Sequence, residues 1–475
     1  MKKSIFLGIL IILTFPLADT IIGGFFHFEK LAGEYSKSTD ISFTNNDYFS
    51  NQYQSQKSLF LNENLNLYPF FVKLNNQIKF SLFDQVSVKN AVVGKNNIIF
   101  DDSYIKSYYG QDFVGKDFAS DRIKEMDFFN QILQLYNKKL IVCILPGKGY
   151  FYPESFPNNY QSNKKTLTNA EFYTSELQKI NVPIINLIDY LTGISDTAKS
   201  PIYPKESIHP SAYGLTIAAD TIVHFLDQTF NIQLPKIKHP FFTSTHPLFY
   251  EDDILRANNL LFPTNFHTTF SYPNLSFTKG RDKLKTLVVG DSFFKYLYKE
   301  GFQKNVLGDG DFWFYGETYW PSKKSIYEHN IRLDFFNHDM VMLFVSEATL
   351  YLFPYNLDTK ILERILPFND SLRLKFFEMK FAHNHKWSEA VKQKAKENNT
   401  PFEIQKKKDI DYMLYQSYQT LDSTDKELYG YIQQMKSNSN WFQSIKEKAR
   451  TNSISLENAL MKDAIYLFNQ KHSEQ

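Results

Sequence analysis

The sequence predicts an α/β fold built on a central parallel sheet, followed by an all-helical module. Two observations predict the sheet. Leu140-Ile-Val-Cys-Ile-Leu145, Lys285-Thr-Leu-Val-Val-Gly290 and Met340-Val-Met-Leu-Phe-Val345 are short apolar runs rich in branched residues, as strands buried on both faces require. Between them, Leu215, Ala218, Ala219, Ile222, Phe225 and Leu226 fall at helical spacing behind a loop with prolines at 201, 204 and 210. A third observation, an internal repeat near the C-terminus, predicts the helical module.

At the N-terminus, Lys2-Lys3 precede an apolar run from Ile5 to Ala18, and softer apolar residues resume from Ile21 to Phe26. This is the charged and hydrophobic pattern of a secretory signal. Asp19-Thr20 interrupt the run and no small-x-small cleavage site follows, which favours an uncleaved anchor over a removed peptide within residues 1–26. Positive-inside reasoning then places everything downstream outside the cytoplasm, anchored to the inner membrane. Residues 27–60 are polar and read as a tether, and the core domain is expected over 61–355. Within it, 235–283 form an aromatic insertion crowded by Phe241, Phe242, Phe249, Tyr250, Phe262, Phe266, Phe270 and Tyr272. Such an insertion either walls an acceptor groove or forms a subdomain with its own small core.

Residues 356–475 turn Lys/Gln/Glu-rich and helical, and they repeat. Trp387-x3-Val391-Lys-x-Lys-Ala395-x2-Asn398 returns as Trp441-x3-Ile445-Lys-x-Lys-Ala449-x2-Asn452, an offset of 54 that also relates Asp409 to Asp463 and Tyr412 to Tyr466. The unit reads as helix, Asn-containing turn, helix, giving hairpins over 387–416 and 441–470. Two units are few for an independent solenoid, so they are expected to dock on the main domain or on a second protein.

Composition bounds the function. A net charge of +2 gives no basic footprint, which removes the electrostatic case for nucleic acid. Cys143, the single cysteine, lies inside an apolar run; no Cys/His cluster has zinc spacing, His383-x-His385 is too sparse, and no cofactor is called for.

Two motifs carry chemistry. Ser292 of Gly290-Asp-Ser-Phe follows one of the apolar runs and precedes Phe293-Phe-Lys-Tyr-Leu-Tyr298, which has no helix breaker, so it sits on a strand-to-helix turn. A serine there needs a base to take its proton and N–H donors for an oxyanion, and a helix N-terminus favours negative charge. The base is His209, in Glu206-Ser-Ile-His209-Pro-Ser-Ala-Tyr-Gly214 at the entry to the amphipathic helix, with Glu206 three residues before it to hold the imidazole. Separately, a Gly-Asp-Ser turn and a loop histidine are both commonplace; together they make an acyl-transfer site. In open α/β sheets such sites form at the carboxyl ends of the strands. Lys148 and Glu347, at the ends of two other strands, share that edge and either orient substrate and oxyanion or complete turns; Tyr298 either reaches the site or packs in the core.

These motifs resemble those of SGNH (GDSL-type) hydrolases, in inverted order. The histidine block resembles D-x-x-H-P-x-x-x-G and the serine block resembles the nucleophile block, but His209 precedes Ser292 by 83 residues. That permuted order resembles the SGNH-like domain of the alginate O-acetyltransferase family. Val92-Val-Gly-Lys-Asn-Asn-Ile-Ile-Phe100, the helix at Tyr68-Pro-Phe-Phe-Val, Leu140 to Lys148 followed by Tyr152-Pro-Glu-Ser-Phe-Pro157, and Met340 to Glu347 are similar to further family segments, from about residue 60 to 350. The family's D-x-H-W is not matched, since Ser stands at 207 and Pro at 210. The acid is therefore either Glu206, at the ordinary SGNH spacing, or missing, in which case the site is weak or Asp291 or another carboxylate serves. The resemblance implies a three-layer SGNH-like sandwich and a periplasmic O-acetyltransferase that moves acetyl groups onto an exported polysaccharide. It further implies a membrane-bound O-acyltransferase as donor. Two alternatives remain at this level: a carbohydrate O-acetyl esterase, and a non-catalytic scaffold of an export complex.

Overall fold

Six strands form the central sheet: β1 (Lys139–Leu145), β2 (Ile184–Asn186), β3 (Thr286–Gly290), β4 (Phe312–Phe314), β5 (Thr318–Tyr319) and β6 (Met340–Ser346). The computed structural model describes residues 2–25, 28–33, 38–161, 163–262, 268–366 and 369–473; Phe26 and Phe266, both named above, lie outside them. The strand order is β5-β4-β3-β6-β1-β2, parallel throughout except for the β4–β5 edge pair.

Alternation along the strands divides the core between the two faces of the sheet. Leu140, Val142 and Ile144 of β1 and Val341, Leu343 and Val345 of β6 point into one cluster with the helices Lys116–Leu135, Asn169–Lys179 and Leu357–Ile365. Ile141, Cys143 and Leu145, with Met340, Met342 and Phe344, point into the other, against the helices Ala212–Phe230 and Phe293–Lys299. The result is a three-layer sandwich whose central strands are buried on both sides, which is why their sequences read as continuous apolar runs.

Register sets the site edge. Met340 pairs with Lys139 on one side and Thr286 on the other, and Phe344 pairs with Cys143 and Gly290. The chain therefore leaves β1, β3 and β6 at one edge, delivering Lys148, Asp291-Ser292 and Glu347 there. Gly290 is required by the closeness of β6: a Cβ at this position would stand 2.3 Å from the Phe344 carbonyl oxygen.

The N-terminal helix Lys2–Ile21 contains a stretch, Lys3–Ile21, with mean hydropathy 2.1, long and apolar enough by composition to cross a membrane. Residues 27–60, expected to be a polar tether, carry the helix Asn45–Phe49 and most of the helix Gln52–Glu63; Thr44 starts the first by accepting the Asp47 N–H at 3.1 Å. The insertion folds as two short ribbons, Ile237–Lys238 with Ser276–Phe277 and Phe241–Ser244 with Phe270–Pro273, and a short helix, Asp253–Ala257. Phe270 and Tyr272 join the core cluster beneath helix Ala212–Phe230, so the ribbon extends the main core.

At the C-terminus, His385–Glu397 pairs with Phe402–Gln419 and Ser439–Thr451 with Leu456–Ser473. The repeat is physical as well as textual. Asn384 and Asn438 each cap a helix by accepting a tryptophan N–H at 3.0 Å, Lys394–Asp409 and Lys448–Asp463 each bridge a hairpin, and Asn399 and Ser453 each take positive φ at the turn. The helix between the hairpins, Ser423–Ser437, packs on the main body through a buried ion pair between its Asp425 and Arg332, both at most 1% exposed, and the second hairpin does so through Ser455 in its turn, whose hydroxyl donates to the Leu135 carbonyl.

Candidate active site

Ser292 stands where β3 gives way to helix Phe293–Lys299, with φ −65° and ψ −19°. Asp291, buried beside it, ties this turn down. One carboxylate oxygen accepts the Phe293 N–H at 3.0 Å; the other accepts the Ser346 N–H at 2.7 Å and the Thr349 hydroxyl at 2.9 Å. Asp291 thus joins the serine turn to the end of β6 and spends its hydrogen-bonding capacity on structure.

His209 reaches the serine from the loop before helix Ala212–Phe230. Its Nε2 lies 2.8 Å from Ser292 Oγ. Its Nδ1 meets Asp253 Oδ2, while Asp253 Oδ1 accepts the Ile208 N–H at 3.0 Å. An N–H on Nδ1 directed at a carboxylate leaves Nε2 bare, the tautomer that can accept the serine proton. Both His209 and Asp253 are 16% exposed, dry enough to strengthen the contact and open enough to reach substrate.

Glu206, the acid expected from spacing, does not reach the imidazole. Its side chain is buried with Oε1 unpartnered, and burial raises its pKa, opposed by its own backbone N–H and by the charge of Lys148. The backbone explains the exchange. The Glu206 carbonyl accepts the Leu255 N–H at 3.2 Å, which brings the insertion helix against the histidine loop and seats Asp253 under Nδ1. The insertion that carries Tyr250 and Asp253 therefore walls the site as well as joining the core.

Lys148 is completely buried and is not among the residues lining the cleft that holds Ser292 and His209. Its ammonium donates to the carbonyls of Ile99, Lys205 and Ser207 at 2.7, 2.6 and 2.8 Å, holding the histidine loop from below. Burial pulls its pKa down to about 7 against the pull of Glu206 and Asp253. Ser207 completes the loop by accepting the His209 N–H at 2.8 Å, and Tyr104 donates to the Ile208 carbonyl at 2.8 Å. Glu347 is buried against Gly147, whose N–H it accepts at 3.2 Å, and burial pushes its carboxyl well above the ordinary range. Tyr298 packs its ring 6.0 Å from that of Phe312. Of the residues expected as candidates for binding substrate or oxyanion, Lys148, Glu347 and Asp291 are thus buried supports of the site, and Tyr298 packs at the edge of the core; none of the four lines this cleft.

The surface is an open cleft of about 420 Å³, lined by His209, Ser292, Asp253, Tyr250, Lys295 and Trp320, with Arg256, Ala257, Ala32 and Gly33 at its edge. The Lys295 ammonium stands 3.9 Å from the Phe314 ring centre and 4.4 Å from that of Trp320, which holds a cation beside the serine. Sequence reasoning passed over Asp253, Lys295 and Trp320. Lys295 had a helical signal, three residues after Ser292; Asp253 and Trp320 had none beyond a run of three acidic residues, Glu251-Asp-Asp253, in the insertion and an aromatic before proline.

Neither a protein-family model nor a curated protein matches the chain. Among solved structures it is similar to the O-acetyltransferase domain of Pseudomonas putida AlgJ, at 15% identity over 57% of this chain and 99% of that one, with TM-score 0.36. It is also similar to Pseudomonas aeruginosa AlgX, at 12% identity over 57% of this chain and 67% of that one, with TM-score 0.37. A third likeness is to Bacillus cereus PatB1, at 12% identity over 49% of this chain and 90% of that one, with TM-score 0.32. The family that the sequence motifs resemble is represented among these neighbours, and at such low identity and TM-score the functional reading rests on the geometry of the cleft.

Proposed function

We propose that the chain is an extracytoplasmic O-acetyltransferase that moves an acetyl group onto hydroxyls of an exported polysaccharide through a serine acyl-enzyme. The observation that carries this reading is the continuous contact from Asp253 through His209 to Ser292 at the floor of an open cleft. His209 Nε2 takes the proton from Ser292 Oγ as the oxygen attacks the carbonyl carbon of an acetyl donor; the imidazolium then returns that proton to the departing group. A glycan hydroxyl next attacks the acetyl-serine, losing its proton to His209, and the C–O bond to Ser292 breaks as Oγ regains it. The Ser292 N–H, at the start of its helix, and the Lys295 ammonium are the donors for the negative charge on the tetrahedral intermediate. Asp253 keeps the tautomer and stabilises the imidazolium.

The acetyl group, the polysaccharide acceptor and a membrane-bound O-acyltransferase as donor come from the motif resemblance. Lys2-Lys3 and the apolar N-terminal helix support an anchor in the inner membrane with the cleft outside the cytoplasm. Trp320, half-exposed at the cleft, offers a face on which a sugar ring can lie. The test uses the full chain in detergent with p-nitrophenyl acetate, beside Ser292→Ala and His209→Ala, with and without oligosaccharides. The reading requires a burst of p-nitrophenol that both substitutions remove, and acetylated oligosaccharide among the products; free acetate alone, unaffected by any acceptor, would make the chain an esterase.

A further inference from the structure

The N-terminal segment is built into the cleft. Ala32 and Gly33 line it together with Ser292, His209 and Ala257, and a Cβ at Gly33 would stand 4.0 Å from that of Ala257. One side chain pins this segment. Asn259 accepts the Ala32 N–H through Oδ1 at 2.7 Å and donates from Nδ2 to the Ala32 carbonyl at 3.0 Å, across 227 residues of sequence. Asn259 lies six residues beyond Asp253, just past the short helix that presents the acid. Gly33 follows with φ +104°, a backbone state that a side chain would strain.

We propose that Ala32 and Gly33, held by Asn259 through Ala32, are a fixed wall of the active cleft that directs the acyl-enzyme toward a glycan hydroxyl and away from water. The chemistry of the wall supports this role. Asn259 satisfies both polar backbone groups of Ala32, so at this residue the lining offers a methyl group in place of an N–H and a carbonyl that would hold water. Water and a glycan hydroxyl compete for the same acetyl-serine: either attacks the carbonyl carbon, gives its proton to His209, and releases Ser292 Oγ. Exclusion of water decides between them. The same segment joins the cleft to the apolar N-terminal helix, whose end is fixed to the body where the Asn66 N–H donates to Thr20 Oγ1 at 3.0 Å. About a dozen residues at up to ~3.5 Å each keep the wall within roughly 40 Å of that helix end.

This inference rests on the acyl-enzyme reading, and its test separates the two. In the full chain, p-nitrophenyl acetate acetylates Ser292, and mass spectrometry follows decay of the adduct in water alone. Asn259→Ala exposes the Ala32 backbone groups and is expected to speed this decay by about tenfold. A merely destabilising change would slow acetylation instead. Asn259→Asp keeps the acceptor for the Ala32 N–H and loses the donor to the Ala32 carbonyl, so it should speed the decay less than Asn259→Ala does. Unchanged decay in Asn259→Ala overturns the wall. Failure of the native chain to form acetyl-Ser292 overturns the acyl-enzyme reading, and hydrogen exchange at the Ala32 amide, expected to be slow in the native chain and fast in Asn259→Ala, then decides by itself whether Asn259 holds the segment.

Discussion

Asp253 holds His209 at two points: one carboxylate oxygen meets the imidazole Nδ1, and the other accepts the backbone N–H of Ile208. The acid thereby fixes both the ring and the loop that carries it. It belongs to an insertion 44 residues further along the chain, so its place depends on how that insertion docks. The Leu255 N–H to Glu206 carbonyl bond is the visible part of that docking.

Lys148 supports the same loop from the opposite side. Replacing it with methionine keeps the volume but removes the ammonium from the buried carbonyls of Ile99 and Ser207 and from that of Lys205. Lys148→Met is expected to lower kcat for p-nitrophenyl acetate by ~10–100-fold through misplacement of His209, with the far-ultraviolet circular dichroism unchanged. Stopped-flow measurement of the p-nitrophenol burst checks this, and a native burst rate would remove Lys148 from the account.

Glu347 makes a pH-dependent contribution. Its carboxyl is held well above its ordinary 4.5 because it is buried, with the Asp112 carboxylate adding to the effect. Between 4.5 and the raised value the folded chain keeps a proton that the unfolded chain has lost. Stability therefore falls as pH rises through that window. Glu347→Gln should flatten this slope in urea unfolding followed from pH 4 upward; parallel slopes would contradict the assignment.

The buried pair Arg332–Asp425 fastens the C-terminal helices to the body. Asp425→Ala leaves a buried guanidinium facing a hole and is expected to cost about 3–5 kcal/mol, whereas replacing both partners with apolar residues recovers most of that loss. Urea unfolding of the single and double variants distinguishes this from a surface contact, for which both changes would cost little.

Ser292 and His209 were legible because each is fixed by its own neighbourhood: an apolar strand ending at Gly290 for one, and a proline-bounded loop before an amphipathic helix for the other. The parallel sheet was legible for the same reason, since burial on both faces leaves unbroken apolar runs. The acid was not. Glu206 has the familiar spacing, but backbone bonds to Lys148 and Leu255 turn the loop so that its carboxylate is buried away from the ring. Asp253 carries no spacing signal because its position is set by tertiary docking. The helices inside residues 27–60 were missed because their polar sequences show no apolar periodicity, and Asn259 was missed because its partner lies 227 residues away.

The most direct test compares Asp253→Asn with Glu206→Gln for serine-dependent release of p-nitrophenol from p-nitrophenyl acetate by the full chain. Asp253→Asn removes the charge that sets the tautomer and is expected to lower turnover by about 10³–10⁴-fold, while Glu206→Gln keeps it within severalfold of the native rate. The reverse pattern, with activity surviving in Asp253→Asn and lost in Glu206→Gln, would contradict the account at its centre.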